Sequence, residues 1–165
     1  MKIISEDLVT ETYEEVEKFS VEHAHSEMTR VSKIQPDLVG FILEFTQDSE
    51  PDVAELAMYY FFTIYRMFQK SVQQPLKQIS HETIAECYET NETQIENLAN
   101  THEKFIERIA SVQLLDQPYV MNFILETLFE DSQENEDIEL TEEDIDFLYL
   151  LLKTVVDVLN KTIDE

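Results

Sequence analysis

Apolar positions along the chain recur at the three- and four-residue spacing of amphipathic helices, and no run alternates as a strand does. The densest stretch is 53–68, in which thirteen of sixteen residues are apolar or aromatic. A helix that is apolar on nearly every face must be buried on nearly every face. This stretch is too short to span a bilayer and contains Glu55 and Arg66, so it predicts the central helix of a soluble domain.

Capping residues and prolines divide the rest of the chain into further helices. The first is predicted as one long helix from Ser5 to about Lys33, and Pro36 suits the first turn of a short helix that follows. A similar short helix is expected from 119 to about 129. Thr141 and Asp144 resemble a capping box that opens the last helix, 142 to about 161.

A second long helix is predicted from the region between 80 and 112. Ser80 can cap its start. An unbroken four-three spacing follows, made of Ile84, Tyr88, Asn91, Ile95, Leu98, His102, Phe105, Ile109 and Val112. Such a seam packs along its length against a neighbour, and the first long helix is the expected neighbour.

The order of long helix, Gln-Pro, short helix and very apolar helix occurs twice. Segments 35–44 and 117–126 share six of ten residues without a gap, including the Gln-Pro pair. Two amphipathic helices can converge on one apolar spacing, but convergence does not demand Gln-Pro at the same offset. The sequence therefore predicts a single all-α domain over 1–165, a six-helix bundle built from two related three-helix units at about 5–75 and 80–163.

Composition agrees with an intracellular helical protein. The chain has 165 residues, one Gly and four Pro, which favours long helices joined by short loops over hairpins. The single Cys87 cannot form an intramolecular disulfide, and no signal-peptide core follows Met1. A reducing cytoplasm is the expected location.

Charge restricts the partners. Thirty-six acidic against eleven basic residues give a net charge of -25, which repels nucleic acid and anionic lipid. No nucleic-acid or membrane partner is expected. Two interpretations stay open: a solvated acidic surface, and an acidic surface that binds a basic protein partner.

One candidate metal site lies on the long helices. His23 and His102 fall on their inner stripes, and Glu27 follows His23 by one turn on the same face. Glu22 and His25 have the spacing that carboxylate-bridged di-iron bundles use, but His102 has no glutamate three residues before it. The alternative is a hydrogen-bonded interior histidine among solvated carboxylates.

A second candidate metal site is the acidic segment 131–142, which resembles an EF-hand calcium loop in spacing only. Glu136 stands where the sharp turn of that loop needs Gly, and a plain charged loop is the alternative. The candidate calcium ligands are Asp131, Asn135, Asp137 and Glu142.

The sequence contains little that would support catalysis. Cys87 follows Glu86 between acidic turns, and such surroundings raise a thiol pKa. Gly40, the single glycine, is predicted inside a helix, so a phosphate-binding glycine loop is absent from the sequence. No catalytic residue and no cofactor are expected.

The aromatic residues of 53–68 exceed what one bundle seam uses, which suggests a homodimer through this helix. The alternative is that the second repeat covers them all. The function expected from the sequence is a non-enzymatic interaction or adaptor protein with acidic helical faces. The competing function is a metal-binding helical-bundle protein.

Overall fold

The computed structural model describes residues 2–98, 116–134 and 140–163. These residues form seven α-helices and no strand, so the all-α class is confirmed for the described chain. None of the seven helices is long and apolar enough to cross a membrane. The helices are α1 (Glu6–Glu17), α2 (Val21–Ile34), α3 (Pro36–Phe45), α4 (Pro51–Ser71), α5 (His81–Leu98), α6 (Pro118–Glu134) and α7 (Glu142–Ile163).

The helices α4 and α7 pack against each other at the centre of the core. Both carry large side chains that are fully buried, among them Phe61 and Phe68 on α4 and Leu148 and Leu152 on α7. Around this pair, α1 packs on α4, while α5 and α6 pack on α7. The central position that the apolar pattern predicts for 53–68 is thus confirmed.

Helix starts follow the capping residues in the sequence. Ser80 accepts a hydrogen bond from the backbone N–H of Thr83 at 3.2 Å. Thr141 and Asp144 form the predicted capping box, each side chain accepting from the backbone N–H of the other at 3.1 and 3.0 Å. Pro36 occupies the first turn of α3, as predicted.

The predicted long helix over 5–33 is wrong, because the chain turns at its middle. The first helix, α1, ends at Glu17, and the Lys18 N–H bonds back to the Glu15 carbonyl at 3.1 Å. Ser20 then caps α2, with its side chain accepting from the His23 N–H at 3.0 Å. Ser20 lies inside the predicted long helix, but it caps a new helix, with two residues between it and the end of α1. The described residues therefore form seven helices where six were predicted.

The neighbour of the second long helix also differs from the prediction. Within its described part, α5 packs chiefly on α7 and also on α3. Ile84 and Asn91 of its seam are buried, as the spacing predicts. The reason is that α1 lies beside α4, so the two outer helices pack on different central helices. The rest of the predicted seam, 99–112, lies outside the described residues.

Gln117, at the second Gln-Pro junction, binds an extended segment ahead of α1. Its side-chain Nε2 donates to the Lys2 carbonyl at 2.8 Å, and its Oε1 accepts from the Ile4 N–H at 2.9 Å. The same Nε2 donates to Asn160 Oδ1 at 2.9 Å. Because Gln117 is only 1% exposed, these bonds replace ones that water would otherwise supply.

Gln35, at the first Gln-Pro junction, makes the corresponding contacts ahead of α5. Its Nε2 donates to the Lys77 carbonyl at 2.8 Å, and its Oε1 accepts from the Ile79 N–H at 2.9 Å. Tyr65 OH lies 3.4 Å from the same Nε2. Two glutamines that the sequence marks only as part of a repeat therefore hold the chain segments that enter α1 and α5. Whether the halves form two related units stays a prediction.

Replacing Gln117 with Leu should lower the free energy of unfolding by at least about 2 kcal/mol, because it removes the hydrogen bonds to the Lys2 carbonyl and Asn160 and leaves the buried Ile4 N–H without its acceptor. Chemical denaturation measures the change. The matched control is Gln78→Leu at an exposed position, expected to change stability by less than about 0.5 kcal/mol. Equal effects of the two substitutions would contradict this role for Gln117.

Candidate functional site

A groove opens where the turn between α1 and α2 faces the first half of α4. Its volume is about 860 Å³, and its walls are the end of α1, the start of α2 and one face of α4. The lining residues of α1, the turn and α2 are Val16, Glu17, Phe19, Ser20, Val21 and Ala24. Those of α4 are Asp52, Glu55, Leu56, Tyr59 and Phe62.

The floor of the groove is apolar and continuous with the core. Val16 and Phe62 are each only 5% exposed, whereas Val21 at the edge is 87% exposed and Tyr59 is 37% exposed. Single exposed apolar residues are ordinary on protein surfaces, but here two of them, Val21 and Tyr59, flank one concavity that the half-buried Phe19 and Leu56 also line. The groove can therefore bury further apolar surface from a partner.

Every charged residue that lines the groove is acidic. Glu17, Asp52 and Glu55 are all exposed. The Glu17 carboxylate interacts with the Tyr13 hydroxyl by a hydrogen bond, which together with burial raises the pKa of that phenol. An apolar floor with a negative rim complements a ligand that is apolar on one face and positive at its edges.

Arg66 of α4 fixes the turn between α1 and α2. Its guanidinium lies 5.0 Å from the centre of the Phe19 ring and bonds the Glu15 carboxylate, with the Nε–Oε1 distance at 2.8 Å. Its NH1 is 3.7 Å from Glu27 Oε2 on α2. One side chain of α4 thus contacts α1, α2 and the residue between them, and so holds the turn against α4.

The carboxylate of Glu15 is stabilised in its charged form. Partial burial acts to raise its pKa, but hydrogen bonds from Lys70, at 2.5 Å, and from Arg66 outweigh burial and lower the pKa below the ordinary value. The pair is about one third exposed, so its contribution to stability is small.

The position predicted for His23 on an inner stripe is wrong, since His23 is exposed. Its ring stacks on Phe19 with centroids 4.1 Å apart, on the outside of the turn. The reason is the new helix start at Ser20, which rotates the stripe, so that Val31 is the buried residue of α2.

The other candidate ligands of the metal site predicted on the long helices do not converge on one position. Glu22 and His25 are exposed, and the Glu27 carboxylate accepts from Arg30 NH2 at 2.8 Å. His102 lies outside the described residues. Within the described ranges, no group of three His, Cys, Asp or Glu side chains could hold a metal ion. Metal binding by these residues stays a prediction.

The candidate calcium loop begins inside a helix. Asp131 belongs to α6, which continues to Glu134, and Glu142 is the first residue of α7. Asn135 and Asp137 lie outside the described residues. The first four positions of the predicted loop are therefore helical rather than part of a turn.

Cys87 lies on the inner side of α5 and is 5% exposed. Burial raises the pKa of its thiol, whereas nearby Lys161 acts in the opposite direction. The raised pKa agrees with the sequence prediction, although burial contributes more than acidic neighbours do. A neutral buried thiol is a poor nucleophile.

The aromatic residues of 53–68 are almost entirely used within the chain. Tyr60, Phe61, Phe62, Tyr65 and Phe68 are each at most 5% exposed. They therefore do not supply the exposed aromatic surface on which the predicted homodimer rested. The stated alternative was that the second repeat covers them all. The chain does bury them, but Phe62 lies beside Phe19 of the first half, and dimerisation stays a prediction.

Comparison with known protein families, curated proteins and solved structures finds no match for this chain. The function of the chain is therefore inferred from the geometry of the groove. Sequence reasoning missed this groove because it forms only where the chain turns at Phe19. The available signal was Ser20, an N-cap residue placed before a helical run.

The ion pair at Glu15 predicts a specific dependence of stability on pH. Because the folded-state pKa lies below the unfolded value of about 4.5, the stabilisation by Glu15 is complete above that pH and is lost as pH falls through the folded pKa. Urea denaturation of the natural chain and of Glu15→Gln from pH 7 to pH 3 measures it. The difference in unfolding free energy, about 1 kcal/mol or less at pH 7, should shrink below pH 4.5. A difference that grows on acidification would contradict the assignment.

Proposed function

We propose that this chain is a non-enzymatic interaction protein that binds a basic amphipathic helix of a protein partner. The binding surface is the groove between the α1–α2 turn and α4. The observation that carries the proposal is the combination of an apolar floor with a rim whose charged residues are all acidic. An amphipathic helix binds such a groove by laying its apolar face on the floor.

Charge complementarity favours a basic partner over a neutral one. Glu17 stands on one wall, and Asp52 and Glu55 stand on the other, so Lys or Arg on both flanks of a bound helix would meet carboxylates. The net charge of -25 adds long-range attraction that accelerates association at low salt. The expected partner segment is therefore apolar along one stripe and basic on both sides of it.

The groove can receive such a helix without unfolding the core. Val21 and Tyr59 already extend from its edges, and the side chains beneath them are packed into the chain's own core. A preformed site loses little conformational entropy when the partner binds. The turn at Phe19 is in turn held by Arg66, so the two walls keep their separation.

We also propose that the two halves arose by duplication. Gln117 of the second unit binds the segment ahead of α1, and Gln35 of the first unit binds the segment ahead of α5, with equal bond lengths. Those segments have similar sequences, Lys-Ile-Ile-Ser at 2–5 and Lys-Gln-Ile-Ser at 77–80. Reciprocal contacts of this kind, in which each half binds a segment of the other, are what a pseudo-two-fold axis between the halves would produce.

Contacts between aromatic rings show the same reciprocal pattern between the two halves. Tyr13 stands eight residues after Ser5, and Tyr88 stands eight residues after Ser80. The Tyr13 ring packs on Phe123 of α6 with centroids 5.3 Å apart, and the Tyr88 ring packs on Phe41 of α3 at 6.0 Å. Each outer helix thus contacts the short helix of the other half.

Binding can be tested with a fluorescently labelled peptide whose Leu residues form one helical stripe and whose Lys residues flank it. We expect the full chain to bind this peptide, and Val21→Ser to weaken binding about tenfold by removing apolar contact area. Glu55→Gln should weaken binding less, chiefly by slowing association, and the effect should fade at high salt. Fluorescence anisotropy measures the affinity, and stopped flow measures the rates.

Matched controls separate the groove from the general acidity of the surface. Leu43→Ser changes another exposed apolar side chain, 57% exposed on α3, and Glu44→Gln changes an exposed carboxylate beside it. Neither should alter binding. The proposal fails if the control substitutions weaken binding as much, or if a scrambled peptide of the same composition binds equally well.

A further inference from the structure

The wall that α4 gives to the groove is one stripe of side chains along that helix. The stripe consists of Asp52, Glu55, Leu56, Tyr59 and Phe62, which have the spacing of a single helix face. At a rise of 1.5 Å per residue, they extend over about 15 Å, or about three turns. A helix that lies along this wall is therefore in contact with it over about three of its own turns.

Charge is distributed unevenly along this stripe. Its start carries the carboxylates of Asp52 and Glu55, and its middle is apolar. The next positions on the same face of α4, beyond Phe62, are Arg66 and Lys70. The face thus changes from negative, through apolar, to positive. A ligand that lies along it meets a different charge at each end.

The positive end of the face is already paired within the chain. The Lys70 ammonium lies 2.5 Å from Glu15 Oε2, and Arg66 donates to the same carboxylate with an Nε–Oε1 distance of 2.8 Å. At the other end, no ion pair with Asp52 or Glu55 occurs within the described residues. The unpaired charge of the face is therefore negative and lies at the start of α4.

The positive end also does not attract basic residues of a ligand. Three cations share two carboxylates there, so these five side chains sum to a net positive charge; they are Arg30, Arg66, Lys70, Glu15 and Glu27. A Lys or Arg of a ligand gains less at that end than beside the unpaired carboxylates at the start of α4. Both ends of the face therefore select a ligand whose basic end lies over the start of α4.

We infer that the partner helix lies antiparallel to α4 and carries its basic residues in its last turns, over Asp52 and Glu55. The inference rests on the function proposed above and adds the direction of binding. Lys and Arg stabilise the C-terminal end of a helix and destabilise the N-terminal end, because the macrodipole is negative at the C-terminus. A helix with a basic C-terminal end is therefore more helical when free and also matches the charge of the groove. Its dipole is then opposed to that of α4, which is the favourable arrangement for two neighbouring helices.

Two peptides of equal composition test the direction of binding. Both have about three helical turns, one Leu stripe and blocked termini, but one carries its Lys residues in the last turn and the other in the first. In fluorescence anisotropy at low salt, the peptide with the basic C-terminal end should bind the full chain about fivefold more tightly.

A nitroxide label reports the direction itself. Placed at the C-terminal end of the more tightly bound peptide, it should broaden the amide NMR signals of 52–56 more than those of 62–66. Placed at the N-terminal end, it should do the reverse. Spectra recorded after reduction of the nitroxide provide the reference intensities.

Two double variants test the role of the carboxylates. Asp52→Asn with Glu55→Gln should weaken the peptide with the basic C-terminal end about tenfold, because both ion pairs are lost. The matched control is Asp37→Asn with Glu44→Gln on α3, where Asp37 also follows a proline in the first helical turn, and it should leave binding unchanged. Circular dichroism verifies that both double variants are folded.

The direction of binding and binding itself can fail separately. Equal affinities of the two peptides, a label that reports the opposite direction or none, or equal effects of the two double variants would overturn the inferred direction while peptide binding stands. If neither peptide binds, the proposed function and the direction that rests on it are both wrong.

Discussion

The mutual burial of α4 and α7 is the constraint on which the remaining structure depends. Both helices are apolar on nearly every face, so neither can be stable beside water. Their contact buries one face of each, and the other faces must then be covered by the outer helices. The positions of α1, α5 and α6 follow from this need for cover more than from their own weaker apolar stripes.

The polar groups of the chain are arranged around that core. The side chains of Gln35 and Gln117 hold two extended segments to it through hydrogen bonds with the backbone of those segments. Arg66 emerges from the apolar face of α4 to hold the α1–α2 turn. The same turn forms one wall of the groove proposed for a basic helix. The proposed function therefore depends on the direction in which α2 follows α1 rather than on the packing of the core.

Sequence reasoning predicted the central helix, the capping box at Thr141 and the helix start at Pro36 because each depends on local chemistry. It failed at Ser20, where capping and helical continuation compete. In the structure Ser20 caps α2, and Phe19 before it packs against Arg66, a contact between residues distant in the chain. It placed α5 beside the first helix because an apolar seam identifies a face but not the neighbour. The groove could not be predicted, since it combines residues distant in the chain.

Native-state hydrogen exchange tests most directly whether the α4–α7 pair holds the domain together. Buried amides of the two helices, such as those of Phe61 and Leu152, should exchange slowest and with one common opening free energy, equal to that of global unfolding. Amides of α2, where Val31 is the buried residue, should open at lower free energy. Different limiting values for α4 and α7, or protection of α2 equal to theirs, would contradict the account.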